Sequence, residues 1–118
     1  MKKLGFVFGQ APHGTASGRE GLDAVLATSA YTDNIATFFH GDGVLQLKKG
    51  QQPSAILSRD YSVTFKMLDL YEIDEIYVCA QSLRERGMTE EALIIRVTCC
   101  EPAMFSQQLH TCQRILTF

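Results

Sequence analysis

The four cysteines of this 118-residue sequence are the side chains best suited to chemistry, because a thiolate is both a nucleophile and a metal ligand. They are Cys79, Cys99, Cys100 and Cys112, and no two of them form a C-x-x-C pair. Neighbouring residues of a strand point to opposite faces, so Cys99 and Cys100 are a poor pair of ligands for one metal ion. The three histidines are scattered, and we expect no metal site. A cysteine considered alone is most often a small buried hydrophobe.

Cys79 differs from the other cysteines in its position. It ends an apolar run over residues 76–79 and leads directly into residues 80–87, which are typical of a short helix closed by a glycine. A thiol at the start of a helix meets unpaired backbone amides that favour the thiolate, and Arg84 and Arg86 would add positive charge. Thiolate is the form that accepts and passes on sulfur. Cys79 is therefore a candidate persulfide site, and the alternative interpretation is a buried strand residue.

Hydrophobic patterning predicts the elements that position these residues. Five apolar runs predict strands, and the segments between them predict four helices. The strands are predicted at residues 4–8, 35–39, 76–79, 93–97 and 115–118, and the helices near 17–30, 58–70, 82–86 and 102–112. Because the strands are continuously apolar, we expect an α/β fold: a single domain over residues 1–118 with a mostly parallel five-stranded sheet and helices on both faces.

Functional residues of such sheets gather where the strands end, which draws attention to the loop after Phe8. This loop carries His13 and several glycines, but it lacks the G-K-[ST] ending of a P-loop. Residues 15–18 are similar to the hydroxyl-rich phosphate loop of flavodoxins, so a flavin or nucleotide binder is one alternative. The other is structural, with Gly18 and Gly21 allowing the next helix to pack closely on the sheet.

The second predicted strand ends at a turn formed by residues 41–43. Asp42 in this turn could bind a ribose hydroxyl or simply form the turn. The flanking apolar residues suit either a buried patch or one that faces another subunit, which is the main hint of oligomerisation in the sequence. These flanking residues are Phe38, Phe39, Val44 and Leu45.

Composition narrows the class of function. The hydrophobic fraction of 46% indicates a globular core, and the net charge of −2 argues against a protein that binds nucleic acid by itself. No apolar run is long enough to predict a signal peptide or a membrane span. We therefore expect a cytoplasmic protein with reduced thiols and no membrane contact.

Several segments spread over the chain resemble the TusC (DsrF-like) subunits of bacterial TusBCD sulfurtransferase complexes, which belong to the DsrE/DsrF-like family. The longest are A-P-H-G-T at 11–15 and G-R-E-G-L-D-A at 18–24, followed by Cys79 with S-L-R-E-R-G at 82–87. Shorter ones are G-D-G-V at 41–44, R-D-Y at 59–61 and I-L-T-F at 115–118. The resemblance covers essentially the whole chain and implies the α/β fold of that family.

The resemblance also implies a role in a sulfur relay. In this relay, persulfide sulfur passes through the complex to a TusE-type carrier and then to the enzyme that 2-thiolates the wobble uridine of certain tRNAs. The implied partners are homologous B-type and D-type subunits in a heterohexamer, a dimer of heterotrimers, and no cofactor is implied. In the family the persulfide cysteine lies on the D-type subunit, at the end of the third strand, where Cys79 lies here. The C-type subunit is regarded as a partner and scaffold, so this chain is expected to be either an auxiliary subunit or an active carrier through Cys79.

Overall fold

The computed structural model describes residues 3–11, 17–48, 68, 73 and 75–118. Five parallel strands form one sheet in the order β4-β3-β2-β1-β5. The strands are β1 (Leu4–Phe8), β2 (Ile35–Phe39), β3 (Glu75–Cys79), β4 (Thr98–Cys100) and β5 (Arg114–Thr117). The described helices are α1 (Ser17–Ser29), α2 (Ala80–Glu85) and α3 (Pro102–His110), with 3-10 helices at Gly41–Leu47 and Glu90–Ala92. None of these helices has the length and apolar character needed to cross a membrane.

The strand order determines which face of the sheet each helix covers. From β1 to β4 the chain steps along the sheet in one direction, and it then returns to the far side of β1 for β5. Right-handed crossovers therefore place α1 and α2 on one face and α3 on the other. Two separate buried clusters agree with this arrangement. The α1-side cluster contains Leu22 of α1 and Leu83 of α2, and the α3-side cluster contains Phe105 of α3. The predicted α/β fold, with helices on both faces of a parallel sheet, is confirmed.

The start of α1 packs closely against its neighbours, as two glycines show. A Cβ atom at Gly21 would lie 2.8 Å from Cγ of Phe118, the residue that follows β5 at the end of the sheet. A Cβ atom at Gly18 would collide with the side chain of Gln46, which lies in the first 3-10 helix. The structural interpretation of these glycines is confirmed for Gly21, while Gly18 approaches the 3-10 helix and not the sheet.

Two predicted segments lie wholly or mostly outside the described residues. Residues 12–16, which include His13 and the first half of the flavodoxin-like loop at 15–18, are among them. Of the helix predicted over residues 58–70, only Leu68 is described; it is helical and fully buried in the α1-side cluster.

The prediction of the fourth strand at residues 93–97 is wrong. The strand that pairs with β3 is Thr98–Cys100, and Leu93 instead forms an antiparallel bridge with Lys48. The N–H of Ile94 donates to the carbonyl of Leu47 at 2.8 Å. The apolar run at 93–97 packs against the α1-side cluster without a ladder to β3, and an apolar run alone does not distinguish the two arrangements.

The short helix after β3 starts two residues earlier than predicted, at Ala80, directly after Cys79. Its predicted end is confirmed: Gly87 follows the C-cap with a φ of +65°, which favours glycine.

Most of the apolar residues around the 41–43 turn pack inside this chain. Phe38, Phe39 and Val44 are fully buried, so they give no support to oligomerisation.

Candidate functional site

Two cysteines lie side by side where neighbouring strands end. Cys79 is the last residue of β3, Cys100 is the last residue of β4, and the two are direct partners in the parallel ladder. Paired residues of neighbouring parallel strands point to the same face, with strands about 4.8 Å apart. Both side chains belong to the α3-side cluster. The sequence pattern gives Cys100 no role, although Cys100 lies one residue before Glu101, the N-cap of α3, and Cys79 is itself the N-cap of α2.

The two thiols differ in their access to solvent. Cys79 is 9% exposed and Cys100 is 1% exposed. Burial raises the pKa of the Cys100 thiol, and the charge of Cys79 adds to this effect. Both thiols are therefore buried, as the alternative interpretation of Cys79 expected, and Cys79 is the more exposed of the two.

The predicted positive field around Cys79 is weaker than the sequence indicates, because both arginines bind carboxylates. Arg84 donates two hydrogen bonds to Glu101, at 2.8 and 2.9 Å, and Arg86 donates to Asp42 at 2.8 Å. The hydrogen bonds with Glu101 are the main cause that raises the pKa of Arg84, and the charge of Cys79 contributes less. Arg84 thus lies near Cys79, but it shares its charge with Glu101.

The residues of α2 are bonded to the segments that follow two other strands. The backbone N–H of Gly41, after β2, donates to Oγ of the buried Ser82 at 2.9 Å. Arg86 donates to the Ser82 carbonyl at 3.0 Å while it binds Asp42, and Arg84 binds Glu101 after β4. These bonds hold α2 against both neighbouring strand ends. The backbone of Cys79, the N-cap of α2, is fixed between them.

Comparison with known proteins agrees with this architecture. The sequence model described as the DsrE/DsrF-like family matches residues 2–118. The chain belongs to this family. Its fold is similar to that of the YchN protein of E. coli, with a TM-score of 0.84 and 22% identity over the whole of both chains. It is also similar to MTH1491 of Methanobacterium thermoautotrophicum, a protein of unknown function, with a TM-score of 0.73 and 14% identity over the whole of both chains. At these identities the two structures show a shared fold.

Two polar residues after β2 lie near the site of this DsrE/DsrF-like chain without joining the thiol pair. A Cβ atom at Gly9 would lie 3.1 Å from Nε2 of His40, so the imidazole leans toward β1 and away from β3. Its ring also contacts Phe105, with 6.2 Å between the ring centroids. Asp42 binds Arg86, which favours the interpretation of a turn residue with a structural partner over a ribose ligand.

The remaining cysteines are separated from Cys79. Cys99 packs against the α1-side cluster, so the predicted opposite orientations of Cys99 and Cys100 are confirmed. Cys112 lies on the α3 face, but its Sγ is adjacent to Gly5, toward the other end of β1. Burial is the main cause that raises the pKa of both thiols. Within residues 3–11, 17–48, 68, 73 and 75–118, no three His, Cys, Asp or Glu side chains cluster closely enough to hold a metal ion.

The β5 edge of the sheet exposes two large aliphatic side chains. Among the described strands β5 pairs only with β1, and Ile115 and Leu116 are 46% and 50% exposed on its two faces. A cleft of about 350 Å³ lies between α3 and this strand. Its lining residues are Ser106, Leu109, His110, Cys112 and Ile115.

Proposed function

We propose that this chain is a TusC-type subunit of a TusBCD-like sulfur-relay complex, in which it acts mainly as a partner and scaffold. The complex would pass persulfide sulfur to a TusE-type carrier for 2-thiolation of the tRNA wobble uridine. Membership of the DsrE/DsrF-like family and the resemblance of the segments around residues 11–24 and 79–87 support this proposal. The net charge of −2 fits a subunit that handles sulfur upstream of the tRNA and does not itself bind it.

The observation that carries the proposal is the β5 edge. An edge strand presents unpaired backbone groups, and one with exposed aliphatic side chains favours contact with another chain. Ile115 and Leu116 supply such side chains, and the cleft beside Ile115 extends the apolar surface toward α3. We infer that a homologous B-type or D-type subunit covers this edge.

Co-expression with B-type and D-type homologues, followed by native mass measurement, tests the assembly. The chain is expected in a heterohexamer, and Ile115→Glu is expected to prevent its incorporation because a charge would be buried at the interface. Tyr31→Glu is the matched control, since Tyr31 is 88% exposed but lies in the turn after α1, on the opposite face from α3. A wild-type chain that stays monomeric in the presence of both partners would contradict the proposal.

The second candidate function makes this chain an active sulfur carrier through Cys79. The observation in its favour is the position of Cys79: it ends β3, is more exposed than its partner Cys100, and lies near the guanidinium of Arg84. The Cys79 thiolate would attack the outer sulfur of a donor persulfide, forming a Cys79 persulfide and releasing the donor as a thiolate.

Mass spectrometry tests the carrier function directly. After incubation with a cysteine desulfurase and cysteine, the Cys79 peptide is expected to gain one sulfur atom, and Cys79→Ser is expected to abolish the gain. Cys99→Ala is the control, because Cys99 lies on the opposite face of the sheet. If Cys79→Ser leaves sulfur flux unchanged in the complete assembly, Cys79 is dispensable and the scaffold function alone stands.

A further inference from the structure

We propose that Cys79 and Cys100 act as a pair of neighbouring thiols. In this pair, Cys100 displaces any sulfur group bound to Cys79 by forming a Cys79–Cys100 disulfide. The two residues are direct ladder partners at the ends of β3 and β4. This inference rests on the second candidate function only where the mounted group is a persulfide. The thiol pair itself can be tested without any sulfur donor.

The backbone geometry permits the bond. Disulfides join residues whose Cα atoms lie roughly 4.4–6.8 Å apart, and directly paired strand residues, about 4.8 Å apart, fall within this range. Both side chains point to the same face and pack in the same cluster. The charge of Cys79 also raises the pKa of Cys100, which agrees with thiols that lie close together.

Burial gives the two thiols different roles. Cys79 is 9% exposed and is the thiol assigned to external sulfur compounds, whereas Cys100 is only 1% exposed. The thiol that Cys100 can reach is the one beside it. Attack therefore occurs first at Cys79 and then, within the chain, from Cys100.

The chemistry balances without an added oxidant when Cys79 carries a persulfide. Cys100 loses its proton to solvent, and its thiolate attacks Sγ of Cys79. The bond between Sγ and the outer sulfur breaks, and the outer sulfur leaves as hydrosulfide. A Cys79 persulfide therefore has two fates. Its outer sulfur is either transferred to an external acceptor thiol or released as hydrosulfide when Cys100 attacks.

The same exchange proceeds from a mixed disulfide. With oxidised glutathione, the Cys79 thiolate attacks one glutathione sulfur and releases one glutathione thiolate. Cys100 then attacks Sγ of Cys79 and releases the second glutathione thiolate. The product is the intramolecular disulfide.

The first experiment treats the purified chain with oxidised glutathione and maps its peptides without reduction. The wild type is expected to give a linked Cys79–Cys100 peptide pair and little glutathione adduct, while Cys100→Ala accumulates the adduct at Cys79. Cys99→Ala and Cys112→Ala are matched controls and are expected to behave as wild type. A stable Cys79 adduct in the wild type, a linkage to Cys112, or no reaction at Cys79 would each overturn the proposal. Linkage mapping in the wild type decides the question even if a Cys100 variant does not fold.

The second experiment loads the chain with glutathione persulfide and follows sulfide release. Because an intramolecular thiol acts at a high effective concentration, Cys100→Ala is expected to lengthen the lifetime of the Cys79 persulfide at least about tenfold. If oxidised glutathione produces the Cys79–Cys100 disulfide but glutathione persulfide does not load Cys79, the carrier function is refuted and the thiol pair stands. A persulfide whose lifetime does not depend on Cys100, with no linkage in the first experiment, would refute the pair and leave the carrier function intact.

Discussion

Replacing Phe105 by alanine tests whether α3 seals the α3-side thiols. Phe105 is the buried side chain of α3, and its ring packs edge-on against Phe38 with 5.6 Å between the ring centroids. Truncating a buried phenylalanine to alanine destabilises a protein by about 3–5 kcal/mol, of which an aromatic pair accounts for roughly 0.5–1.5 kcal/mol. We expect the free energy of unfolding to fall by an amount in this range.

The same change should uncover Cys100. If alkylation of this buried thiol requires α3 to detach locally, the alkylation rate follows the equilibrium for that opening. A loss of about 3–5 kcal/mol, at roughly 1.4 kcal/mol per factor of ten, raises the rate between about one hundred-fold and several thousand-fold. Cys79, which is already partly accessible, should change much less.

Urea unfolding and mass-resolved alkylation measure the two effects on the same samples. Met104→Ala is the matched control, because Met104 lies on the same helix but is 52% exposed, and its loss should change the free energy of unfolding by no more than about 0.5 kcal/mol. Phe105→Leu should fall between the two. A Phe105→Ala chain that is destabilised as expected, yet alkylated at Cys100 no faster than wild type, would refute the role of α3 as the cover.

Two further predictions concern single contacts. Ser82→Ala removes the acceptor of the Gly41 N–H and should lower the free energy of unfolding by about 1–2 kcal/mol in urea, whereas an unchanged midpoint would show that this bond does not hold α2 in place. Burial, followed by the hydrogen bond and charge of Glu75, raises the pKa of Tyr77 from 10.0 to about 12. The folded chain therefore binds this proton more tightly than the unfolded chain, so the resulting stabilisation is complete below pH 10 and is lost as the pH rises toward 12. Tyr77→Phe should lack this decline in unfolding experiments across that range, and equal slopes in both proteins would contradict it.

Local patterns were sufficient to predict much of the sheet. The bounds of β1 and β2 are those expected from the sequence, because both are continuous apolar runs followed by turn residues. The fourth strand was misplaced because residues 93–97 are equally apolar but pack on the core beside Leu47, outside the ladder. The strand that does form there, Thr98–Cys100, is too short and too polar at its start to give a clear pattern.

For the candidate site too, the sequence predicts local features but not tertiary contacts. The position of Cys79 at the end of a strand is a local property, and the sequence predicts it. The neighbour of Cys79 depends on the register between β3 and β4, which pairs Cys79 with Cys100. Because the sequence places β4 at the wrong residues, it does not predict this pair. The carboxylate partners of Arg84 and Arg86 depend on the same tertiary arrangement, so a sequence argument overestimates the free positive charge near the thiol.

The pairing of β5 with β1 has a consequence for how the chain is made. Leu4 pairs with Arg114, so this part of the sheet closes only after the ribosome has released the segment that forms β5. Such long-range pairing is slow, and α3, which lies between β4 and β5, docks as part of the same crossover. Until that crossover docks, the α3-side thiols lack their cover, and Cys100 becomes buried only when Phe105 of α3 packs in the same cluster.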